Sequence, residues 1–122
     1  MVNSRNKGVG FERVVARKLR AKYPDAKRGL QYQQGEYVPD VVGTPYYIEC
    51  KSGKRYLSVN IDGKKKVYNP NKIEKLKELY DHYYGRMKLW KDMPVVIIWK
   101  LDYKPVYVFD GEKNILLEDF TG

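Results

Sequence analysis

A single α/β (α+β) domain, with a mixed β-sheet flanked by helices, is what this sequence predicts, and three observations predict it. Two segments, 7–22 and about 71–88, space their apolar residues at helical intervals. Several short runs rich in Val, Ile and Tyr lie between and after them, so the order is helix, strands, helix, strands. With 122 residues there is room for one hydrophobic core, hence one domain over 1–122.

In the first segment Phe11, Val14, Val15 and Leu19 form the apolar stripe, and Pro24-Asp25 stops it. The outer face carries Arg13, Arg17 and Arg20 at steps of four and three, a basic stripe suited to a phosphate backbone. Residues 25–39 show no clear period and read as a loop or a short irregular strand. Residues 38–42 and 46–52 are strand runs separated by Gly43-Thr44-Pro45, whose composition suits a tight reversal, so they pair as a hairpin. Asp62-Gly63, between Val59/Ile61 and Val67/Tyr68, marks a second hairpin with Lys64, Lys65 and Lys66 beside its turn. Asn69-Pro70-Asn71 supplies cap and first-turn residues for a helix bearing Ile73, Leu76, Leu79, Tyr80, Tyr83 and Met87. Residues 93–101 are a continuous apolar run that fits a central strand buried on both faces. Residues 105–110 are a further strand, after which Asp110-Gly111 turns the chain into a short acidic tail.

The formal net charge of +9 is unevenly spread. Residues 1–30 carry nine Lys/Arg against two acids, 31–100 carry thirteen against eight, and 101–122 carry two against five. A polyanion is the natural partner and nucleic acid the commonest one, because each phosphate neutralised releases counterions. The alternative is a merely soluble basic surface. No stretch reaches the roughly 20 apolar residues of a membrane span, and the start lacks a signal-peptide core, so no membrane partner and a cytoplasmic location are expected. The lone Cys50 can form no internal disulfide and is a poor zinc site. His82 is the only histidine, which argues against a histidine general base and a serine-hydrolase triad; it reads as an ordinary helix residue.

The residues that carry chemistry are Asp40, then Glu49 and Lys51 in a Glu-x-Lys triplet. Strand side chains alternate, so Glu49 and Lys51 share a face while Cys50 points the other way as a small core residue. If residues 43–45 reverse the chain, Asp40 returns close to Glu49. Two carboxylates with an ammonium beside them suit Mg²⁺-dependent phosphodiester hydrolysis: hard oxygens hold the metal, the metal activates water, and the lysine stabilises the transition state or orients the water. A structural Glu49–Lys51 salt bridge is the competing reading. Glu12 lies at helical distances from Val15, Ala16 and Leu19, so it borders the buried face, where a shared metal would partner it. An exposed glutamate favoured by the helix dipole is the other possibility. Tyr80, Tyr83 and Tyr84 could stack on bases or belong to the core, and Lys64, Lys65 and Lys66 could contact DNA or form a solvated turn.

Lys7-Gly8-Val9-Gly10-Phe11-Glu12-Arg13, Pro39-Asp40-Val41 and Ile48-Glu49-Cys50-Lys51-Ser52 occur in that order. Together they resemble the PD-(D/E)XK nuclease superfamily, and within it the archaeal-type Holliday junction resolvases and their phage relatives. The resemblance implies a restriction-endonuclease-like sheet, with Glu12, Asp40 and Glu49 binding one or two Mg²⁺ or Mn²⁺ ions and Lys51 completing the catalytic site. It also implies that Arg13 and Arg28 contact or position DNA, in a prokaryotic cell or a phage-infected host. The expected activity is therefore metal-dependent DNA cleavage, with a four-way junction as substrate. Because a junction is nearly two-fold symmetric and must be cut twice, a homodimer is expected. The alternatives are a nuclease of the same superfamily acting on duplex or flap DNA, and a non-catalytic DNA-binding module.

Overall fold

Elements α1 (Ser4–Leu19), β1 (Lys27–Arg28), β2 (Val41–Val42), β3 (Tyr47–Gly53), β4 (Leu57–Ile61) and β5 (Lys64–Tyr68) are followed by α2 (Ile73–Arg86), β6 (Val95–Leu101), β7 (Tyr107–Phe109), β8 (Asn114–Leu116) and α3 (Leu117–Thr121). The computed structural model describes residues 4–29, 38–86 and 93–122. Residues 30–37 of the segment read as loop or irregular strand, and Met87 at the end of the second helix, lie outside the described residues.

Six strands form one mixed sheet in the order β1-β2-β3-β6-β7-β8, and β4 and β5 form a separate hairpin. Among the described residues β3 and β6 form the one parallel pair, in register from Tyr47↔Val95 to Gly53↔Leu101, and the remaining pairs are antiparallel. The crossover from β3 to β6 carries the β4–β5 hairpin and α2, as a parallel connection requires intervening structure.

The period of two along β3 and β6 divides the interior into two cores. Ile48, Val96 and Ile98 pack with Val15, Ala16 and Leu19 of α1, with Val41 and Val108, and with Leu117 of α3. Tyr47, Val95, Ile97, Trp99 and Leu101 face the other way, onto Leu76, Leu79 and Tyr83 of α2 and onto Leu57, Val59 and Tyr68 of the hairpin. The apolar run 93–101 is thus explained, since β6 must satisfy both layers at once.

Both hairpins expected from the sequence are present. Val41 pairs with Ile48, and Leu57–Ile61 pairs with Lys64–Tyr68 across Asp62 (φ 51°) and Gly63 (φ 78°), two successive left-handed residues of the kind tight hairpins use. The structure also departs from the sequence reading. α1 stops at Leu19, three residues before the expected end: Lys22 and Tyr23 both donate their N–H to the Leu19 carbonyl, at 3.0 and 2.8 Å. Arg20 lies exposed just past the end of the helix, and its Nε donates to the Ala26 carbonyl at 2.8 Å and holds the exit loop. The expected acidic tail contains β8 and α3, anchored where Trp99 Nε1 donates to Asn114 Oδ1 (3.0 Å) and by buried Leu117. A three-residue strand and a five-residue helix are too short to show a period. Among the described residues no helix is long and apolar enough to cross a membrane.

Candidate active site at the β2–β3 edge

Asp40 is the buried charged residue of the described structure, 8% exposed, and its backbone is held on both sides. Its N–H donates to the Ile48 carbonyl (2.8 Å) and its own carbonyl accepts from Gly29 N–H (2.9 Å). Because β2 is short, the next amide along β3 meets the carboxylate in place of a strand carbonyl: Cys50 N–H donates to Asp40 Oδ2 at 2.8 Å. The hairpin therefore does return Asp40 to β3, beside the residue between Glu49 and Lys51.

Glu12 comes to the same place from α1. Its side chain is 14% exposed, and its Oε2 accepts from Arg28 Nε at 3.0 Å, an ion pair reaching from β1 to the helix. Burial raises the Glu12 carboxyl above its ordinary range. The negative charge of Asp40 raises it further, and the Arg28 guanidinium opposes both. Two carboxylates thus crowd the start of β2, with the Arg28 guanidinium between α1 and β1 offsetting them. The Cys50 thiol lies in the α1 core. It is pushed well up by burial and then by Asp40, Glu12 and Glu49, with Lys51 opposing.

Glu49 and Lys51 lie on the opposite face of β3 from Cys50, as alternation requires, but their charged ends are turned along that face. Tyr47 OH donates to Glu49 Oε1 at 3.4 Å. Lys51 Nζ donates to the Ser58 carbonyl of β4 at 3.4 Å and lies 5.5 Å from the centroid of the Tyr83 ring. The structure brings Glu12 and Asp40 together and places Glu49 and Lys51 on the neighbouring strand. Among the described residues no three acids, histidines or cysteines converge in a metal-holding cluster. The donor chemistry suits Mg²⁺ or Mn²⁺ only in that carboxylate oxygens are hard ligands, and Glu12 and Asp40 lie close enough for the Asp40 charge to act on Glu12. Glu12 and Asp40 are the two acids brought together, and Glu49 does not complete a cluster of three with them.

Arg13 and Arg17 are exposed on α1, and Lys64, Lys65 and Lys66 are exposed on β5, with Lys66 Nζ 5.2 Å from the Tyr68 ring centroid. Arg28 is committed to Glu12. Sequence reasoning placed it on DNA and missed the pair, since nothing local links two residues sixteen apart. It also missed Tyr47 as the Glu49 partner, which the shared strand face two residues apart could have indicated. Of the tyrosine cluster, Tyr83 is core, while Tyr80 packs edge-on against Phe109 and stacks with exposed Tyr84. Comparisons with family models, with curated proteins and with solved structures find no match for this chain.

The Glu12 environment predicts a pH effect. A carboxyl raised by folding ionises at the expense of the folded state, so its contribution to stability is greatest at low pH and is lost as pH rises from about 4.5 through the folded-state value. Arg28→Ala removes the opposing guanidinium and raises Glu12 further. Thermal unfolding in EDTA should therefore fall more between pH 4.5 and 7 in Arg28→Ala than in wild type, and Glu12→Gln should abolish that difference. Equal pH slopes in wild type and Arg28→Ala would refute the pairing.

Proposed function

We propose that this protein is a metal-dependent endodeoxyribonuclease of the restriction-endonuclease-like kind, cutting DNA phosphodiesters at the β2–β3 edge and acting most effectively on four-way junctions as a homodimer. The observation that carries the reading is the position of Asp40: a buried residue whose backbone makes two hydrogen bonds and whose carboxylate accepts the Cys50 amide, beside Glu12 and next to a Glu-x-Lys strand. A carboxylate kept from water at the start of β2, with another acid pressed against it, suits binding of a hard cation better than it suits packing.

Glu12, Asp40 and Glu49 would hold Mg²⁺ or Mn²⁺, which supplies an activated water and offsets charge on the phosphate. Lys51 places its ammonium toward the non-bridging oxygens once it leaves the Ser58 carbonyl, an exposed contact of 3.4 Å that costs little to break. Arg13 and Arg17 bind backbone phosphates on the α1 side, and Lys64, Lys65 and Lys66 do so along the hairpin. Arg28 holds Glu12 Oε2 at 3.0 Å and opposes the rise of its carboxyl.

A DNA-binding module with structural carboxylates is the second reading. It is favoured by the Asp40–Cys50 and Glu12–Arg28 bonds, which give both acids a partner without metal. Labelled four-way junctions and their linear arms, incubated with Mg²⁺ or EDTA, separate the possibilities. Paired symmetric cuts confined to the junction and to Mg²⁺ are expected. Equal cutting of linear duplex or flap DNA would remove the junction preference and keep the nuclease. Tight, salt-sensitive binding with no cut under Mg²⁺ or Mn²⁺ would leave the binding module.

A further inference from the structure

Beyond Lys51, β3 and β6 end side by side, and the two turns that follow them meet. Asp102 N–H donates to the Gly53 carbonyl at 2.9 Å, and Gly53 packs directly against the Tyr56 carbonyl. The turn after β6 is closed by Lys104 N–H to the Leu101 carbonyl at 3.1 Å, which puts Tyr103 at its third position with φ 63°. That position belongs by preference to Gly or Asn, because a Cβ crowds the backbone there. Tyr103 is nevertheless a large aromatic, and it is 99% exposed. Tyr56, in the adjoining turn, is 53% exposed, and Lys54, Arg55 and Lys104 around them are exposed as well.

Two open aromatic faces set among three cations form a chemical pattern suited to unpaired nucleotides. Rings stack on bases that have lost their neighbours, and the cations track the phosphates. Paired duplex offers no free base face to Tyr103. Gly53 lies two residues beyond Lys51, about 7 Å along the strand, so a nucleotide held at this tip is close to the edge where cleavage is placed. We propose that the Tyr103–Tyr56 tip is a stacking site for unpaired bases and gives this protein its preference for DNA with unstacked nucleotides near the cut. The proposal rests on the nuclease reading for its consequence, but binding tests it without cleavage.

In EDTA, fluorescence anisotropy with labelled duplex, single strand and four-way junction gives the affinity ratios for wild type, Tyr103→Gly and Tyr103→Phe. Glycine suits the left-handed turn, so Tyr103→Gly should fold at least as stably as wild type and isolates the ring. The preference of wild type for unpaired over duplex DNA should fall by about 5- to 150-fold in Tyr103→Gly, the range that corresponds to removing one stacking ring, and Tyr103→Phe should keep it. A 2-aminopurine placed at the branch point should be quenched by wild type and by Tyr103→Phe, and not by Tyr103→Gly. An unchanged ratio in Tyr103→Gly, or a wild type that binds all three DNAs equally, overturns the stacking site. Selective binding that depends on Tyr103, with no cutting under Mg²⁺, would sustain the tip and overturn the nuclease reading instead.

Discussion

Asp40→Asn should lower metal-dependent DNA cleavage by about 10³-fold or more while leaving the fold and most DNA affinity in place. An asparagine is nearly the same shape, and its Oδ1 can still accept the Cys50 amide that Asp40 now accepts at 2.8 Å, so the β2–β3 edge keeps its hydrogen bonds. What disappears is the charge. A neutral amide oxygen is a weak partner for a divalent cation, and several kcal/mol of transition-state stabilisation go with it. The same change relieves Glu12, whose carboxyl the Asp40 charge helps to raise. Single-turnover cleavage, circular dichroism and anisotropy measured together check the three parts of this expectation. A variant that cuts at the wild-type rate would remove Asp40 from the site. A variant that unfolds would show that the carboxylate is structural.

Gly43→Ala should destabilise the protein by about 2–5 kcal/mol, a fall in Tm of roughly 8–20 °C for a domain of this size. Gly43 has φ 86°, a conformation that itself costs an L-residue roughly 1–2 kcal/mol. A Cβ there would also stand 2.6 Å from the Asp25 carbonyl carbon and 3.1 Å from the Ala26 nitrogen, which are backbone atoms and cannot swing aside. Relief requires β1 and β2 to part, at the pairs Lys27↔Val42 and Arg28↔Val41. Because Arg28 and Asp40 belong to that corner, cleavage should fall along with stability. Urea unfolding gives the energy, and an unchanged midpoint would mean that the turn adapts by another route.

The turn itself was legible in the sequence, as were the hairpins, both long helices and the apolar central strand, because each is written in a local period or in a turn residue. The shared face of Glu49 and Lys51, and the burial of Cys50 behind them, follow from alternation along one strand. β8 and α3 were not legible: each is shorter than the window over which a period can be recognised, and their stability comes from Asn114 bonding Trp99 and from Leu117 entering the α1 core.

The sequence by itself determined the order of the two long helices, the two hairpins and the central strand, the excess of Lys and Arg over the first hundred residues, and the residue types of the candidate site. The tertiary structure decided which charges meet. It paired Arg28 with Glu12, set the Asp40 carboxylate on the Cys50 amide, turned Lys51 to the Ser58 carbonyl, and brought Tyr103 beside the turn that follows the Glu-x-Lys strand. The reason is physical. Periodicity records which side of an element faces the core, whereas an ion pair or a capped amide depends on distances between elements far apart in the chain, and only packing sets those distances.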